Sequence, residues 1–321
     1  MKLYTVLIAG AGQLGSRYLQ GLSKSQLGLK IFVYDISTES LARAEERWSQ
    51  VSPHQFFHSV SFLSQLEKLP KEIDLAIVAT TANVRTMVLS AICKTMVVRY
   101  WILEKVLAQN EVEVDKLGSL LQGSEKAWVN TPYRAMKLYH DVKKEMHLDE
   151  PFACEIKAGK TFGIACNSIH YLDLLQWLSG KTIISIDPSG LDSEWVTTKR
   201  AGFWDIFGTL SISFSDGSIA IIKGETWEPS IVTINIDTTS ESWRICENDG
   251  TAVRGGGLII RGKIEYQSEM TAPIVESILS TGGCNLPEFG ESAILHKLLI
   301  GAFLSHWNKY MPGKVEMIPI T

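Results

Sequence analysis

The sequence predicts a parallel α/β domain followed by an α+β domain with a large, mostly antiparallel, open-faced sheet. The 321 residues exceed what one hydrophobic core usually supports, and a hydrophobic content of 45% suffices for two cores. Short apolar runs alternate with helical patterns up to about residue 130, and a series of strand-like runs follows. We therefore expect two domains, residues 1–128 and residues 129–321.

The alternation in the first domain is typical of βαβ units, which build a parallel sheet. Apolar runs of strand length and segments with helical spacing follow one another along the chain. The predicted strands are Tyr4–Ala9, Lys30–Tyr34, Ile73–Ala79, Met96–Leu103 and Ala127–Val129, and the predicted helices are Leu14–Ser23, Thr38–Trp48 and Val112–Gln122.

The second domain shows strand-like runs separated by turn residues, which is typical of an antiparallel sheet. Asp216-Gly217 between two of these runs predicts a hairpin. The predicted strands are Phe152–Ala158, Thr182–Asp187, Ile206–Phe214, Ser218–Lys223, Ile231–Asp237, Ser242–Glu247 and Lys263–Gln267, and the predicted helices are Tyr133–Met146, Asn167–Leu178 and Glu291–Tyr310.

The charge balance and the cysteines argue against several classes of protein. With 31 Lys+Arg and 35 Asp+Glu, the net charge of -4 lacks the basic excess that a nucleic-acid binder needs. The five cysteines are scattered and form no C-x-x-C pair for zinc or redox chemistry, which fits a reducing cytoplasm. No uncharged apolar run approaches the length of a membrane span. We expect a cytoplasmic protein with no nucleic-acid or membrane partner.

A glycine-rich turn follows the first predicted strand. The segment Gly10-Ala11-Gly12-Gln13-Leu14-Gly15 has G-x-G-x-x-G spacing and opens a predicted helix. The first glycine permits a tight turn, the second lets the backbone approach a pyrophosphate, and the third permits close packing of helix and strand. The helix N-terminus can then hold the phosphates. The segment therefore predicts a Rossmann dinucleotide site whose cofactor contacts are Gly10, Gly12, Gln13, Leu14 and Gly15.

Asp35 completes the dinucleotide pattern. It lies 20 residues beyond Gly15, at the end of the next predicted strand. A carboxylate there accepts hydrogen bonds from both ribose hydroxyls and repels a 2′-phosphate, which favours NAD over NADP. Ser37 and Arg43 keep NADP possible, because both can support a phosphate. The alternative interpretation is an ordinary loop in which Asp35 caps the following helix.

Two further segments resemble motifs of the glucose–fructose oxidoreductase, inositol dehydrogenase and MocA family. They are Leu103-Glu104-Lys105 and Ile169-His170-Tyr171-Leu172-Asp173-Leu174-Leu175, and the resemblance covers nearly the whole chain. In that family a Glu-Lys-Pro segment places a lysine beside the nicotinamide, and a D-x-x-x-H segment supplies acid/base chemistry. Here Val106 replaces the proline, and Cys166 stands where the aspartate is expected, with Asn167 one residue later.

The resemblance implies that Lys105 and His170 are catalytic. His170 suits a general base because the usual pKa of histidine lies near neutrality, and Lys105 can donate to the reacting oxygen. Asn167 and Cys166 share a helix face with His170, so both are candidate substrate contacts. The alternative interpretations are a histidine packed on a helix face and a solvated loop lysine.

Other candidates rest on weaker signals. Thr80, Asn83 and Glu104 follow or end predicted strands and are candidate cofactor contacts, and Asn130 and Arg134 are candidate substrate contacts. The alternative interpretation of the segment Asn130–Arg134 is a helix start, in which Thr131 caps the helix before Pro132. Further weak candidates for sugar contacts are Lys160, Arg200 and Trp204. The pair His54 and His58 has helical i,i+4 spacing but no nearby third ligand, so we expect a solvated loop and no metal.

These features together favour an NAD-dependent oxidoreductase acting on a sugar, cyclitol or nucleotide-linked sugar. The segments Leu286-Pro287-Glu288-Phe289 and Glu291–Tyr310 look similar to the ends of family members associated with bacterial surface-polysaccharide synthesis. A catalytically silent binding or regulatory protein is one alternative, favoured by Cys166 and Val106. An enzyme that recycles NAD during elimination, hydrolysis or epimerisation is another.

The resemblance also implies an assembly. In family members the open face of the second sheet commonly packs against another subunit, so we expect a homodimer or homotetramer. The apolar runs Leu210–Phe214 and Ile219–Ile222 offer material for such a contact.

Overall fold

A computed structural model describes residues 2–51, 58–159, 162–225 and 231–321. The chain divides into two compact units. The first unit comprises Met1–Ala108, Val112–Asn130 and Glu265–Gly290, and the second comprises Gln109–Glu111, Thr131–Ile264 and Glu291–Thr321.

The first unit is built on a six-stranded parallel sheet. Its strands are β1 (Leu3–Ala9), β2 (Gly28–Tyr34), β3 (His58–Leu63), β4 (Glu72–Val78), β5 (Val97–Glu104) and β6 (Lys126–Asn130). Its helices are α1 (Gln13–Leu22), α2 (Thr38–Ser49), α3 (Ala82–Thr95), α4 (Glu111–Leu121) and α7 (Gln267–Thr281). The strand order is β3-β2-β1-β4-β5-β6. The direction of the order reverses between β1 and β4, which is where open α/β sheets bind ligands at their carboxyl ends.

The central strands are continuous apolar runs. Residues 6–9 of β1 and residues 75–78 of β4 are fully shielded from solvent. A parallel sheet needs apolar side chains on both of its faces because crossover helices cover both. This is why β1 and β4 show no polar alternation in the sequence.

Two elements of this sheet region escaped the sequence prediction. Strand β3 has only half-buried or exposed side chains, so no apolar run reveals it. Helix α3 buries Arg85 among its apolar residues, which breaks the expected pattern of one apolar face. His58 begins β3, which corrects the loop predicted for it, and His54 lies outside the described residues.

Helix α7 replaces a predicted strand. The strand expected at Lys263–Gln267 is wrong, since the chain there is irregular and α7 begins at Gln267. The backbone N–H of Tyr266 donates to the Glu269 side chain at 2.9 Å, as in one half of a capping box. Pro273 inside the helix hid it from a prediction based on helical propensity. In the structure α7 packs against α1 within the first unit.

The second unit is built on an eight-stranded sheet. Its strands are β7 (Ala153–Ala158), β8 (Ile183–Leu191), β11 (Gly208–Phe214), β12 (Ile219–Gly224), β13 (Val232–Asp237), β14 (Ser242–Cys246), β15 (Thr251–Arg254) and β16 (Ile259–Arg261). The order is β16-β15-β14-β13-β7-β12-β11-β8, and among these described strands only the β12–β7 pair is parallel. A separate two-stranded ladder joins β9 (Val196–Thr197) and β10 (Trp204–Asp205). The Asp216-Gly217 turn joins β11 and β12 as a hairpin, as predicted.

The strands of this sheet bury alternate side chains. In β11 the side chains of Leu210, Ile212 and Phe214 are buried, whereas Ser211 and Ser213 lie on the other face. In β12 the side chains of Ala220 and Ile222 are likewise buried, whereas Ile219 and Ile221 lie on the other face. The two-residue alternation of strands thus sends only part of each apolar run to the face opposite the core, and the expected subunit contact through these runs stays a prediction.

Helices and a short turn complete the second unit. The predicted helix Tyr133–Met146 is instead a 3₁₀ turn over Pro132–Ala135 followed by α5 (Lys137–Glu145). Helix α6 (Ile164–Ser179) contains His170, and α8 (Phe289–Tyr310) follows a segment of the first unit. The fold class is thus the predicted one, a Rossmann-type sheet followed by an α+β arrangement with a mostly antiparallel sheet. Within the described ranges, no helix has both the length and the apolar character needed to span a bilayer.

Candidate functional site

The glycine-rich turn lies at the carboxyl end of β1 and leads into α1. Gly10 has a φ of +103°, a conformation that favours glycine, and its N–H donates to the carbonyl oxygen of Tyr34 at 2.8 Å. A Cβ on Gly15 would lie 1.8 Å from the carbonyl oxygen of Gly10. The two glycines therefore allow α1 to start directly against the end of β1, which fits the first and third positions of the motif.

Gly12 and Asp35 fit the other two requirements of a dinucleotide site. A Cβ on Gly12 would meet no described protein atom within 4 Å, so the space above this residue is open to a ligand. The Asp35 carboxylate accepts N–H groups from Ala11 at 2.7 Å and from Ser37 at 2.8 Å. This places a carboxylate against the same turn, where a ribose would lie if phosphates occupied the α1 N-terminus.

Arg47 brings a cation to the first turn of α1. Its guanidinium donates to the Gln13 side chain at 2.7 Å and to the hydroxyl of Ser16. Gln13 is exposed and Leu14 is half-buried at the helix start. The predicted cofactor contacts Gln13 and Leu14 therefore lie at the open end of the helix beside a positive charge.

Glu104 ends β5 in a buried hydrogen-bond cluster. Its carboxylate accepts from the hydroxyl of Tyr18 and, at 2.6 Å, from the side-chain amide of Asn130. The same amide of Asn130 donates to Gln267 at 2.8 Å. Burial raises the pKa of the Glu104 carboxyl, and these two hydrogen bonds oppose the rise. Glu104 and Asn130 thus hold the ends of β5 and β6 together, and their predicted ligand contacts stay predictions.

Arg85 joins the backbone segments that leave the neighbouring strands β4 and β5. Its fully buried guanidinium donates to the carbonyl oxygens of Thr80 and Val106, and to that of Leu107 at 2.9 Å. Thr80 follows β4, and Val106 and Leu107 follow Lys105 after β5. The half-buried Lys105 is thereby held between two anchored residues, Glu104 and Val106. Asn83 is exposed in the first turn of α3.

His170 lies in an aromatic environment in the second unit. Its ring stacks on Tyr133 with centroids 5.2 Å apart and planes 16° apart. Cys166 and Asn167 lie in the first turn of α6, one turn before His170, and are half-buried. The Asn167 side-chain amide donates to the carbonyl oxygen of Gly163 at 3.1 Å. The structure therefore gathers the predicted residues of α6 on neighbouring turns of one helix.

Asp205 occupies the N-terminus of the same helix. Its buried carboxylate accepts the N–H of Ala165 at 2.7 Å, and the thiol and N–H of Cys166 also hydrogen-bond to it. Burial raises the pKa of this carboxyl, and these hydrogen bonds oppose the rise. A carboxylate therefore lies beside Cys166 although the sequence has none at that position. Nothing in the local sequence indicated Asp205, because it comes from the distant strand β10.

Arg134 belongs to a charged cluster in the second unit. Its guanidinium donates to both carboxylate oxygens of Glu291, at 3.0 and 2.9 Å, and its Nε lies 3.5 Å from the Asp173 carboxylate. Both Arg134 and Asp173 are buried. These contacts give Arg134 a packing role, and its predicted substrate contact stays a prediction.

The predicted residues thus form one set in each unit. In the first unit, the carboxyl ends of the parallel strands bring together the glycine-rich turn, Asp35, Thr80, Glu104, Lys105 and Asn130. In the second unit, α6 and the preceding 3₁₀ turn bring together Cys166, Asn167, His170 and Arg134. The weak candidates Arg200 and Trp204 lie near β10 in the second unit, and Lys160 lies outside the described residues. Sequence reasoning missed Tyr18, Arg85, Tyr133 and Asp205.

Comparison with protein-family models finds no match for this chain, and comparison with curated protein sequences also finds none. Solved structures do share its fold. An oxidoreductase from Agrobacterium radiobacter in complex with NAD+, L-tartaric acid and magnesium has a TM-score of 0.73 at 14% identity, over 95% of this chain and 97% of that one. myo-Inositol 2-dehydrogenase from Lactobacillus plantarum has a TM-score of 0.68 at 16% identity, over 95% and 97%.

A transcriptional regulator also has this fold. Gal80p from Kluyveromyces lactis has a TM-score of 0.71 at 16% identity, over 96% of this chain and 93% of that one. At such identities the likeness establishes the fold, and it confirms at that level the family resemblance drawn from the sequence. The fold therefore occurs in a regulator as well as in dehydrogenases.

Asp173 makes the free energy of unfolding depend on pH. Burial raises the pKa of its carboxyl from 3.8 to about 7, so the folded state keeps a proton that the unfolded state releases. The resulting stabilisation is complete below the unfolded pKa and is lost as the pH rises through the folded pKa. We expect stability to fall by at most about 1.4 kcal/mol per pH unit between pH 4 and 7 through this group.

Urea unfolding at several pH values measures this contribution. Asp173→Asn should flatten the slope over that range, whereas Asp115→Asn, at an exposed position on α4, should leave it unchanged. Equal slopes for the wild type and Asp173→Asn would contradict the assignment.

Proposed function

We propose that this chain is an NAD-dependent oxidoreductase that transfers a hydride between the nicotinamide and a hydroxyl or keto carbon of a sugar, cyclitol or nucleotide-linked sugar. The observation that carries the proposal is the turn at Gly12, which combines open space, a helix N-terminus and the carboxylate of Asp35. The likeness to an oxidoreductase crystallised with NAD+ and to an inositol dehydrogenase supports it.

The first unit supplies the binding groups of the proposed cofactor site. The first N–H groups of α1 can bind the pyrophosphate, and Asp35 can accept the ribose hydroxyls. Its charge would repel a 2′-phosphate, so NAD is the proposed cofactor and NADP the weaker one. When bound, the nicotinamide supplies the hydride acceptor or donor. Thr80, Asn83 and Glu104 complete the proposed cofactor contacts.

Lys105 and His170 are the proposed catalytic residues. In oxidation the C–H bond of the substrate breaks and its electron pair leaves with the hydride, while the hydroxyl proton passes to a base. We assign that base to His170 and a hydrogen bond or charge contact with the reacting oxygen to Lys105. Cys166, Asn167, Asn130 and Arg134 remain the proposed substrate contacts.

A catalytically silent regulator is the second candidate function. The fold of Gal80p, a transcriptional regulator, favours it together with the cysteine at position 166. Both candidates predict cofactor binding, so binding does not separate them. Turnover with a sugar-type substrate does, because only the oxidoreductase interconverts NAD and NADH.

The proposal extends to domain roles, assembly and location. We propose residues 1–128 as the cofactor domain and residues 129–321 as the substrate and oligomerisation domain, except for Glu265–Gly290, which belongs to the first unit. We also propose a cytoplasmic homodimer or homotetramer. The face of the second sheet opposite its core exposes Ile184 and Ile219 and has Glu155 paired with Lys223 at 2.6 Å, which suits a mixed contact surface. The five free thiols support a reducing location. A role in surface-polysaccharide synthesis is the proposed context.

The cofactor site is tested first by Gly12→Val. The side chain would enter the space assigned to the pyrophosphate, and the fold should tolerate it because no described protein atom lies within 4 Å of where its Cβ would be. We expect NADH binding to be lost. Fluorescence measures it, together with a thermal-shift panel of NAD, NADP and nucleotide sugars. Gly123→Val is the matched control, because its Cβ also meets nothing within 4 Å. Undiminished binding in Gly12→Val would refute the site.

The preference between NAD and NADP is tested by Asp35→Ala and Asp35→Asn. Hydrogen bonds to a charged group contribute about 1.5–3 kcal/mol, so Asp35→Ala should weaken NAD by roughly tenfold to a hundredfold. Asp35→Ala should also reduce the difference in affinity between NAD and NADP, because the carboxylate no longer repels the 2′-phosphate. Asp35→Asn removes the charge and keeps one acceptor, so it separates the two effects. Titration calorimetry with both cofactors measures them, and a wild type that already prefers NADP would contradict the role of Asp35.

Catalysis is tested by Lys105→Ala and His170→Ala. Loss of a general acid or base lowers turnover by about a hundredfold to ten-thousandfold, and NAD affinity should stay nearly unchanged. Steady-state rates of NADH formation with the best compound of a sugar and nucleotide-sugar panel measure the effect. The controls are Lys116→Ala and His147→Ala, both at exposed positions. Absence of turnover in the wild type with retained NAD binding would favour the regulator.

A further inference from the structure

A group of three tyrosines and one glutamate lies beside His170 within the second unit. Glu247 follows β14, Tyr139 lies on α5, Tyr171 is the neighbour of His170 on α6, and Tyr133 lies in the 3₁₀ turn. The Glu247 carboxylate accepts from the hydroxyl of Tyr171 at 3.0 Å and from that of Tyr139. These four side chains, which we call the tyrosine–glutamate cluster, have no role in the chemistry described so far.

The carboxylate sets the direction of the hydrogen bonds in the cluster. An ionised carboxylate can only accept, so the hydroxyls of Tyr139 and Tyr171 must both donate to Glu247. The Tyr171 oxygen then remains an acceptor for the Tyr133 hydroxyl, which lies 3.3 Å from it. While Glu247 is ionised, a chain of donors therefore runs from Tyr133 through Tyr171 to Glu247, and each hydroxyl has one defined orientation.

The rings of the cluster extend this order to His170. Tyr133 stacks with two rings, His170 at a centroid distance of 5.2 Å and Tyr139 at 5.7 Å, with interplanar angles of 16° and 14°. Tyr171 meets the Tyr133 ring edge-on at 5.1 Å. Both neighbours of Tyr133 in the cluster, Tyr139 and Tyr171, are thus bound to the same carboxylate. The ring on which His170 lies is fixed by Glu247 through two routes.

The Glu247 carboxyl changes its ionisation near neutral pH. Burial raises the pKa of its carboxyl to about 7, although the hydrogen bonds from Tyr139 and Tyr171 oppose the rise. The titratable groups that face it from the packed elements are Tyr139 on α5, Tyr171 on α6 and Tyr133 in the 3₁₀ turn. Burial raises the pKa of each tyrosine, so all three hydroxyls stay protonated as donors.

We infer that Glu247 is a positioning residue for His170, acting through Tyr171 and Tyr139 on the Tyr133 ring that supports the imidazole. The inference rests on the proposed function only for the catalytic role of His170. Its geometric content, the link from Glu247 to the imidazole, stands independently of any reaction. The link lies entirely within the second unit.

Two variants break the link in different ways. Glu247→Gln keeps the size and one acceptor but removes the charge and introduces an N–H donor, so one tyrosine hydroxyl must reverse. Tyr171→Phe keeps the charge and the ring but removes the bridge to Tyr133. The matched controls are Glu125→Gln and Tyr100→Phe, which disrupt a second tyrosine–glutamate hydrogen bond, of 2.8 Å, in the first unit.

The first measurement is the NMR titration of the His170 ring protons in the whole chain without substrate, with the signal assigned by loss in His170→Ala. We expect both variants to move the His170 signals, because the ring current of Tyr133 acts on them. Unmoved signals in folded Glu247→Gln, or in Tyr171→Phe if the former does not fold, would overturn the inference.

The second measurement separates this inference from the proposed function. Turnover should fall about tenfold in Glu247→Gln through kcat, with the NAD dissociation constant unchanged and both control variants at wild-type rates. If His170→Ala keeps full turnover while the His170 signals move in Glu247→Gln, the catalytic role of His170 fails and the link from Glu247 to the imidazole stands. If the wild type shows no turnover while those signals move, the proposed function fails and the link again stands. If His170→Ala abolishes turnover and Glu247→Gln changes neither rate nor signal, the positioning role fails and the proposed function stands.

Discussion

The carboxyl end of the sheet in the first unit depends on the hydrogen bonds of the buried Arg85 guanidinium. A buried charge is costly unless its donors are satisfied, and here they bond to the carbonyl oxygens of Thr80, Val106 and Leu107. The chain segments that leave β4 and β5 are thereby held together beside the switch point, which lies between β1 and β4. The attraction between Arg85 and the Glu104 carboxylate lowers the pKa of Glu104 against its burial, so the two charges compensate each other in part. Lys105 lies between Glu104 and Val106, so the contacts of Glu104 and Arg85 hold its backbone on both sides.

The features that the sequence predicted well are those encoded over a few residues. The turn from Gly10 to Gly15 was predictable because close packing between a strand and a helix admits only glycine at its third position. Asp35 was predictable because the strand that positions it is a plain apolar run. The hairpin at Asp216-Gly217 was predictable because the two turn residues alone indicate it. In each case the physical cause lies within the segment itself.

The features that escaped prediction depend on partners far apart in the chain. Tyr18 and Glu104 are separated by 86 residues, and Ala165 and Asp205 by 40, so no spacing rule connects them. Helix α3 was missed for a related reason, since its buried Arg85 looks like a solvated residue until its carbonyl partners are known. Tertiary contacts, more than propensity, decide such positions.

Asp205 changes the meaning of the cysteine at position 166. The family resemblance places an aspartate at position 166, and its replacement by cysteine alone favours a catalytically silent protein. In the structure a carboxylate from β10 lies at the N-terminus of α6 and hydrogen-bonds to Cys166, where the helix dipole favours a negative charge. Its oxygens are engaged by N–H groups of the helix, so Asp205 caps α6 and holds the turn that precedes His170. The substitution at position 166 therefore leaves the α6 turn before His170 anchored. The imidazole one turn later stacks on the Tyr133 ring, with centroids 5.2 Å apart.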